Sequence, residues 1–320
     1  MQLSILDQTL VNPGSTPRES IQHCITLAKL AEQWGYHRFW VTEHHNSTQF
    51  ACASPAILMA RLAAETSSIR IGAGGLLLPN HPVQQVADTF NMLHTLYPGR
   101  IDLGIGRGGS ESILVRQLLN PAHTYDIGTY KHNILELSEL LGQHDNGLEQ
   151  PKNLPERWLL SSGMPTARLA AELGLPLSYA HFINPTDGPA TVQLYRDHFS
   201  PNEVNRIPKI SMAVFVICAE EEKDLKRLLR ELDFGLLRSD RKKQLPLLPG
   251  TAQQYEFSGD EQIQVMENRQ KIIWGPPQTI GQQLQAFADN YSADELMLLV
   301  HSSDQKDKLT IFRLLAKACF

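Results

Sequence analysis

The run Ile101-Asp102-Leu103-Gly104-Ile105-Gly106-Arg107-Gly108-Gly109 decides how this chain folds. Residues 104–109 satisfy the formal pattern GxGxxG, which in a dinucleotide-binding sheet follows a first strand and opens a helix. This copy sits badly in that setting. It follows a fourth strand-like segment, carries Arg107 at its fourth position, and is not followed about 20 residues later by a convincing strand ending in Asp or Glu. An arginine among glycines suits a phosphate better, because guanidinium donates two parallel hydrogen bonds and glycine clears the approach.

Working outward, short apolar runs recur along the whole chain: Leu3–Leu6, Phe39–Val41, Ile69–Ile71, Ile101–Leu103, Trp158–Leu160, Leu177–Tyr179, Ile210–Ile217 and Leu296–Val300. They lack clean period-two alternation, as strands covered on both faces do. Helical patterns separate most of them. In the first, Thr16 and Glu19 form a capping box around Pro17, Ile21, Cys24, Ile25, Ala28 and Ala31 make an apolar stripe, and Gly35 ends it. Similar punctuation frames Pro165 to Gly174, and Thr279 with Gln282 reads as a second capping box. About eight strand–helix alternations without a composition shift predict one α/β domain over residues 1–320, a closed (β/α)8 TIM barrel rather than a doubly wound sheet. The polar stretches 142–157 and 235–260 read as rim insertions, and 109–127 and 235–260 as the segments that set substrate choice.

With 320 residues, 42% hydrophobic and 20% charged, the chain is ample for one large core. A net charge of -5 provides no global positive field for nucleic acid or an anionic membrane surface. The local basic cluster Arg238, Arg241, Lys242 and Lys243, near Pro246, Pro249 and Gly250, reads as a solvated loop. No apolar stretch approaches the roughly 20 residues that span a bilayer. The start, Met1 to Asp7, lacks the features of a signal peptide. Four scattered cysteines without a CxxC pair predict buried free thiols in a reducing cytoplasm.

In such a barrel the chemistry lies just after each strand. The second strand runs into Thr42-Glu43-His44-His45-Asn46, where a histidine can move protons near neutral pH. The competing reading makes Glu43 and one histidine structural hydrogen-bond partners. A metal site is disfavoured, since neighbouring residues in an extended segment point opposite ways and no further ligand pattern accompanies them. The third strand runs into Gly72-Ala73-Gly74-Gly75, either backbone for a flat ligand or a tight barrel corner. The fifth ends in Ser161-Ser162-Gly163-Met164-Pro165-Thr166 and opens a helix over 167–173. That turn is either an anion cup or a plain N-cap by Ser162. Strands four and five are neighbours in a barrel, an adjacency that favours the anion cup, since it lets Arg107 and the Ser162–Thr166 turn meet on one phosphate.

These residues together resemble a known family. Trp40-Val41-Thr42-Glu43-His44-His45-Asn46, Leu77-Leu78-Pro79-Asn80-His81-Pro82-Val83, Tyr97 through Gly108 and Ala170-Ala171-Glu172-Leu173-Gly174-Leu175-Pro176 are similar to the bacterial luciferase-like flavin monooxygenases. The resemblance extends to Gly275-Pro276-Pro277 and Ala293-Asp294-Glu295-Leu296-Met297. It implies a barrel that uses reduced FMN and molecular oxygen, commonly with a separate flavin reductase. It implies that His44 is the catalytic histidine, handling protons at the flavin, with Glu43 beside it. It implies a non-proline cis peptide at Gly74-Gly75, with Ala73 adjoining, against which the isoalloxazine packs, and a phosphate cradle of Arg107, Ser162, Gly163 and Thr166. No metal is implied. A homodimer is, through helices near the second and third strands, for which residues 51–64 are apolar enough to serve.

The chain departs from true luciferase at Gly106, where luciferase has a reactive cysteine, and at Ser110-Glu111-Ser112, which replaces a different loop. Its closer likeness is to the shorter single-chain group, in which the resemblance selects no substrate. Deazaflavin-dependent hydride transfer on the same fold, a metal-dependent hydrolase using His44 and His45, and a non-catalytic flavin-binding protein remain alternatives.

Overall fold

The computed structural model describes residues 1–108, 113–121, 126–141, 154–241 and 250–320. Parts of the expected rim insertions (109–112, 122–125, 142–153 and 242–249, with Lys242 and Lys243) lie outside them.

The strands are β1 (Gln2–Asp7), β2 (Arg38–Val41), β3 (Arg70–Leu77), β4 (Ile101–Gly106), β5 (Glu156–Ser161), β6 (Leu177–Ala180), β7 (Ile210–Cys218), β8 (Ile272–Gly275) and β9 (Glu295–Leu299). The helices are α1 (Pro17–Gln33), α2 (Pro55–Glu65), α3 (Val83–Leu96), α4 (Ile113–Leu119), α5 (Ile127–Leu140) and α6 (Met164–Glu172). They continue with α7 (Gly188–Asp197), α8 (Glu222–Arg241), α9 (Thr251–Gln254), α10 (Gly259–Asn268), α11 (Pro277–Tyr291) and α12 (Gln305–Cys319). β1 to β7 pair in sequence, and β9 closes the ring between β7 and β1, every pairing parallel. This is the predicted (β/α)8 barrel, and each of the eight apolar runs falls on one of its strands, with Ile69 and Val300 one residue outside β3 and β9.

Sequence reasoning missed β8. It lies outside the ring on β7, whose nine residues reach past the barrel to pair Phe215–Cys218 with Ile272–Gly275. Its run Ile272-Ile273-Trp274 is apolar and as short as that of β2, but of its four residues only Ile272 and Gly275 are buried.

α1 carries the Thr16–Glu19 capping box and ends before Gly35, whose φ is +88°. The capping box assigned to Thr279 is corrected. α11 starts with Pro277, and the Thr279 hydroxyl instead donates to the Pro276 carbonyl. A capping box that was missed joins Ser258 and Glu261 at the start of α10. The 142–157 insertion ends inside β5, and the 235–260 insertion begins inside α8 and contains α9.

The Tyr97-Pro98-Gly99-Arg100 segment is structural. Arg100 donates to the carbonyls of Ala63, Thr66 and Ile69, satisfying acceptors at the C-terminal end of α2, and the Tyr97 hydroxyl donates to Ala60.

An ionic plug fills the end of the barrel where the strands begin. Arg38, fully buried, reaches Asp102 at 2.7 Å, Glu295 at 2.8 Å and Glu156 at 3.3 Å. Arg70 holds the other oxygen of Asp102, and the Trp40 indole donates to Asp102 at 3.0 Å. Gly72 must lack a side chain here, since a Cβ would run into the Trp40 indole and Asp102. Burial pushes the Glu295 carboxyl above its ordinary value, against the pull of Arg38.

Candidate functional site

The opposite end, where the strands finish, collects the chemistry-bearing residues. Glu43 and His44 follow β2 directly and point into different surroundings. The His44 ring stacks on Phe50, with centroids 4.0 Å apart and planes 18° from parallel. Its backbone amide donates to the Cys52 carbonyl at 2.9 Å, which fixes the loop. The Nε2 atom is buried and has no hydrogen-bond partner. Burial lowers the pKa to about 4, so the ring is neutral at neutral pH and Nε2 is free for a ligand.

Glu43 is buried, and both of its oxygens are engaged. Oε1 accepts from His45 Nε2 at 2.5 Å and from His81 Nε2 at 2.9 Å, and Oε2 accepts from the Leu77 amide at 2.8 Å. Burial alone would raise its pKa, but those donors outweigh it and hold the carboxyl at about 2. The carboxylate thus ties the loop after β2 to the end of β3.

Glu43, His45 and His81 place ligand-type atoms within 4.8 Å of one another. The sequence argument against a metal overlooked that residues two apart share a side and that His81 adds a third donor. Even so, ligands at about 2.0–2.2 Å from one zinc stand roughly 3 Å or more apart, so the 2.5 Å pair is a hydrogen bond. His44 does not join this group, which removes the geometry a His44–His45 hydrolase needs.

At the end of β3 the Gly74-Gly75 peptide is cis, as the resemblance implied. Packing also requires glycine there. A Cβ on Gly74 would lie 2.7 Å from Trp40 and 2.8 Å from Leu6, and one on Gly75 2.9 Å from the Gly104 carbonyl. Ala73 is fully buried, paired with Val41 and Leu103.

Arg107, immediately after β4, is exposed and forms no ion pair among the described residues. Across the adjacent β5, α6 begins without a side-chain cap. Ser162 does not cap it. Ser161 closes the turn instead, its hydroxyl accepting from the Gly163 amide at 3.1 Å and donating to the Gly163 carbonyl at 2.6 Å. A Cβ on Gly163 would meet nothing nearer than Pro165 at 4.0 Å, so the approach is open. Thr166 is buried in the first turn. An exposed guanidinium at the end of β4 and an uncapped helix start after the neighbouring strand β5 are the kinds of group that hold a phosphate.

His301, two residues past β9, was missed by sequence reasoning. Its Nε2 pairs with Gln8 Oε1, and its ring meets Phe215 edge-on at 4.8 Å. Burial holds its pKa at about 4, and it lies close enough to His44 that charging either disfavours charging the other. Between His301, the Phe50 ring on which His44 stacks, and α8 opens a chamber of about 350 Å³. Its walls include Leu10, Phe50, Phe182, Phe215 and Phe234, and none of the phosphate or glycine positions above. Arg238 also faces it, which corrects the reading of that residue as part of a solvated loop.

Cys24, Cys52 and Cys218 are buried, Cys319 is half-buried, and all are free thiols. No helix among the described residues is long and apolar enough to cross a membrane.

Comparison with known proteins gives a consistent result. The profile of the family described as luciferase-like monooxygenase matches residues 1–293. The uncharacterised protein YwcH of Bacillus subtilis (strain 168) is 36% identical, over 99% of this chain and 99% of its own. A luciferase-like monooxygenase of Escherichia coli (strain K12) is 34% identical, over 97% and 95%. The solved structure of apo-MsnO8 has a TM-score of 0.87 at 34% identity, covering 99% of this chain and 98% of its own. At lower identity only the fold is compared. The oxygenating constituent of 3,6-diketocamphane monooxygenase from Pseudomonas putida, in complex with FMN, has a TM-score of 0.73 at 18% identity, covering 100% and 99%. An F420-dependent secondary alcohol dehydrogenase has a TM-score of 0.69 at 17% identity, covering 100% and 99%. The barrel, the motifs at its strand ends and these matches along nearly the whole chain agree: the protein belongs to the luciferase-like monooxygenase family.

Proposed function

We propose that the protein is a flavin-dependent monooxygenase that takes reduced FMN as co-substrate and oxygenates a small organic molecule. The observation that carries this reading is that an Arg107 guanidinium without an ion pair among the described residues and an uncapped helix start, that of α6, follow the ends of the adjacent strands β4 and β5. Arg107, the Ser162–Gly163 turn and Thr166 would hold the FMN phosphate, and the Gly74-Gly75 backbone would support the ring system. Reduced FMN supplies the electrons for molecular oxygen, one atom of which passes to the substrate while the other leaves as water. His44 holds or accepts a proton at Nε2, which is buried and unpartnered in the protein alone. Glu43 fixes the loops around it through His45, His81 and Leu77. The apolar mouth keeps water from the reacting atoms.

The test is an anaerobic titration with reduced FMN followed by air, run in parallel with reduced F420. Binding of reduced FMN and oxygen uptake on mixing support the reading. Failure to bind at high micromolar FMN sinks it, and turnover with the deazaflavin alone replaces it with hydride transfer. Arg107→Ala is expected to weaken FMN binding by about 1.5–3 kcal/mol, roughly 10- to 150-fold, as loss of a charge-assisted pair does. An unchanged affinity would remove the phosphate assignment.

The reduced flavin comes, in this proposal, from a separate flavin reductase in a reducing cytoplasm, and turnover with NADH or NADPH alone would exclude that need. We also propose a homodimer through α2 and α3. Their inner faces pack on the barrel, while Ile57, Met92 and Leu96 remain 75%, 65% and 54% exposed. Large apolar side chains left exposed on these two helices are what a subunit contact would cover. Sedimentation as a monomer at micromolar concentration would remove the dimer.

A further inference from the structure

The chamber beside His44 carries one group that the barrel itself does not use. On α8 the positions Glu231, Phe234, Gly235 and Arg238 recur at helical spacing and all line the chamber, so one stripe of the helix faces it. The other charged groups on that wall have partners. Glu231 accepts from Arg227 at 3.2 Å and from Ser303 at 3.0 Å, and Lys271 donates to Asn268 at 2.7 Å. His301 pairs with Gln8. Arg238 has no hydrogen bond or ion pair among the described residues, and its Nε is buried. Burial depresses its pKa, as follows when no anion compensates the charge.

A guanidinium left unpaired with its Nε shielded from water is unfavourable, and an arriving anion relieves that. Its planar fork matches a carboxylate with two parallel hydrogen bonds. Four phenylalanines, Phe50, Phe182, Phe215 and Phe234, stand in the walls among polar residues such as Gln8, Asn12, Gln49 and Gln253, with Phe182 and Phe215 edge-to-face at 5.4 Å. Phe50 is also the ring on which His44 stacks. A molecule anchored at Arg238 therefore lays its body along phenylalanines toward His44. None of the positions assigned to FMN lines this space, so the anion it takes is distinct from the cofactor phosphate.

We propose that this chamber is the substrate site and that the substrate is an aryl-bearing carboxylate whose acid group is recognised by Arg238. The proposal rests on the flavin reading for its chemistry, but its test needs no flavin. The probes are 4-phenylbutyrate and its uncharged counterpart 4-phenylbutan-1-ol, titrated calorimetrically into the intact protein. The acid is expected to bind roughly tenfold or more tightly than the alcohol, with that preference shrinking as salt rises. Arg238→Gln should abolish the preference by weakening only the acid, and Arg238→Lys should keep part of it. Unchanged thermal unfolding of Arg238→Lys would show that the chamber is intact. Equal binding of acid and alcohol, binding of neither, or an Arg238→Gln protein that keeps full affinity for the acid would overturn the proposal. So would an Arg238→Gln protein that loses FMN while still binding the acid. Failure of FMN binding with the acid preference intact would strike the flavin reading instead.

Discussion

Replacing Arg38 by Met is expected to lower the stability of the fold by about 3–5 kcal/mol, the effect of removing one partner from a buried ion pair. Arg38 is fully buried and serves Asp102, Glu295 and Glu156 together. Without it Asp102 keeps Arg70 and Glu156 keeps Lys209, but Glu295 has no other ion-pair partner among the described residues. Its carboxyl, already raised by burial, then titrates higher still. The sign follows from linkage. A folded-state pKa raised above the unfolded value means the folded state binds the extra proton, so stability falls as pH rises through that window. The deficit of Arg38→Met should therefore be larger at pH 8 than at pH 5, and Glu295→Gln added to it should recover part of the loss at pH 8. Urea unfolding followed by circular dichroism reads both. A deficit under 1 kcal/mol would mean that the plug is not what holds this end of the barrel.

The second large effect concerns rate. His44→Ala is expected to reduce product formation with reduced FMN and oxygen by about 10²–10⁴-fold, the range typical of a lost acid–base group. FMN affinity should hold within about twofold, because that histidine is not part of the phosphate site. Reduced FMN consumed without product should appear as hydrogen peroxide. The pH profile carries a second mark of the residue. With its pKa held at about 4 by burial, His44 stays neutral across the physiological range, and the acid limb attributable to it should fall near pH 4 rather than near 6.5. If the variant retains full product yield, His44 is only a packing partner of Phe50.

What the sequence disclosed follows from the range over which each signal acts. The eight barrel strands were legible because burial on both faces forces continuous apolar runs, and α1 because capping is decided within four residues. His44 was legible because a histidine directly after a strand needs no partner to be noticed. The Glu43–His45–His81 cluster was not, since His81 is 38 residues from Glu43 and only the pairing of β2 with β3 brings them together. His301, two residues past β9, stood at an equally legible strand end. Arg238 was hidden by context. Its basic neighbours and the prolines beyond them suggested solvent, although the 231/234/235/238 spacing was present in the sequence.

The placement of the plug bears on how the protein tolerates change. Its ions are held at the starts of β2, β4, β5 and β9, whereas the phenylalanine chamber is built mainly from loops and a helix beyond the strand ends, joined by Phe215 of β7. A substitution at Phe50 or Phe234 thus spends packing at the mouth and leaves the ionic foot untouched, and distant sites of this kind combine almost additively. Appetite for new substrates can drift at one end of the molecule while the other end keeps the account of stability, so natural variants of this chain are free to explore chemistry without first being rescued as folds.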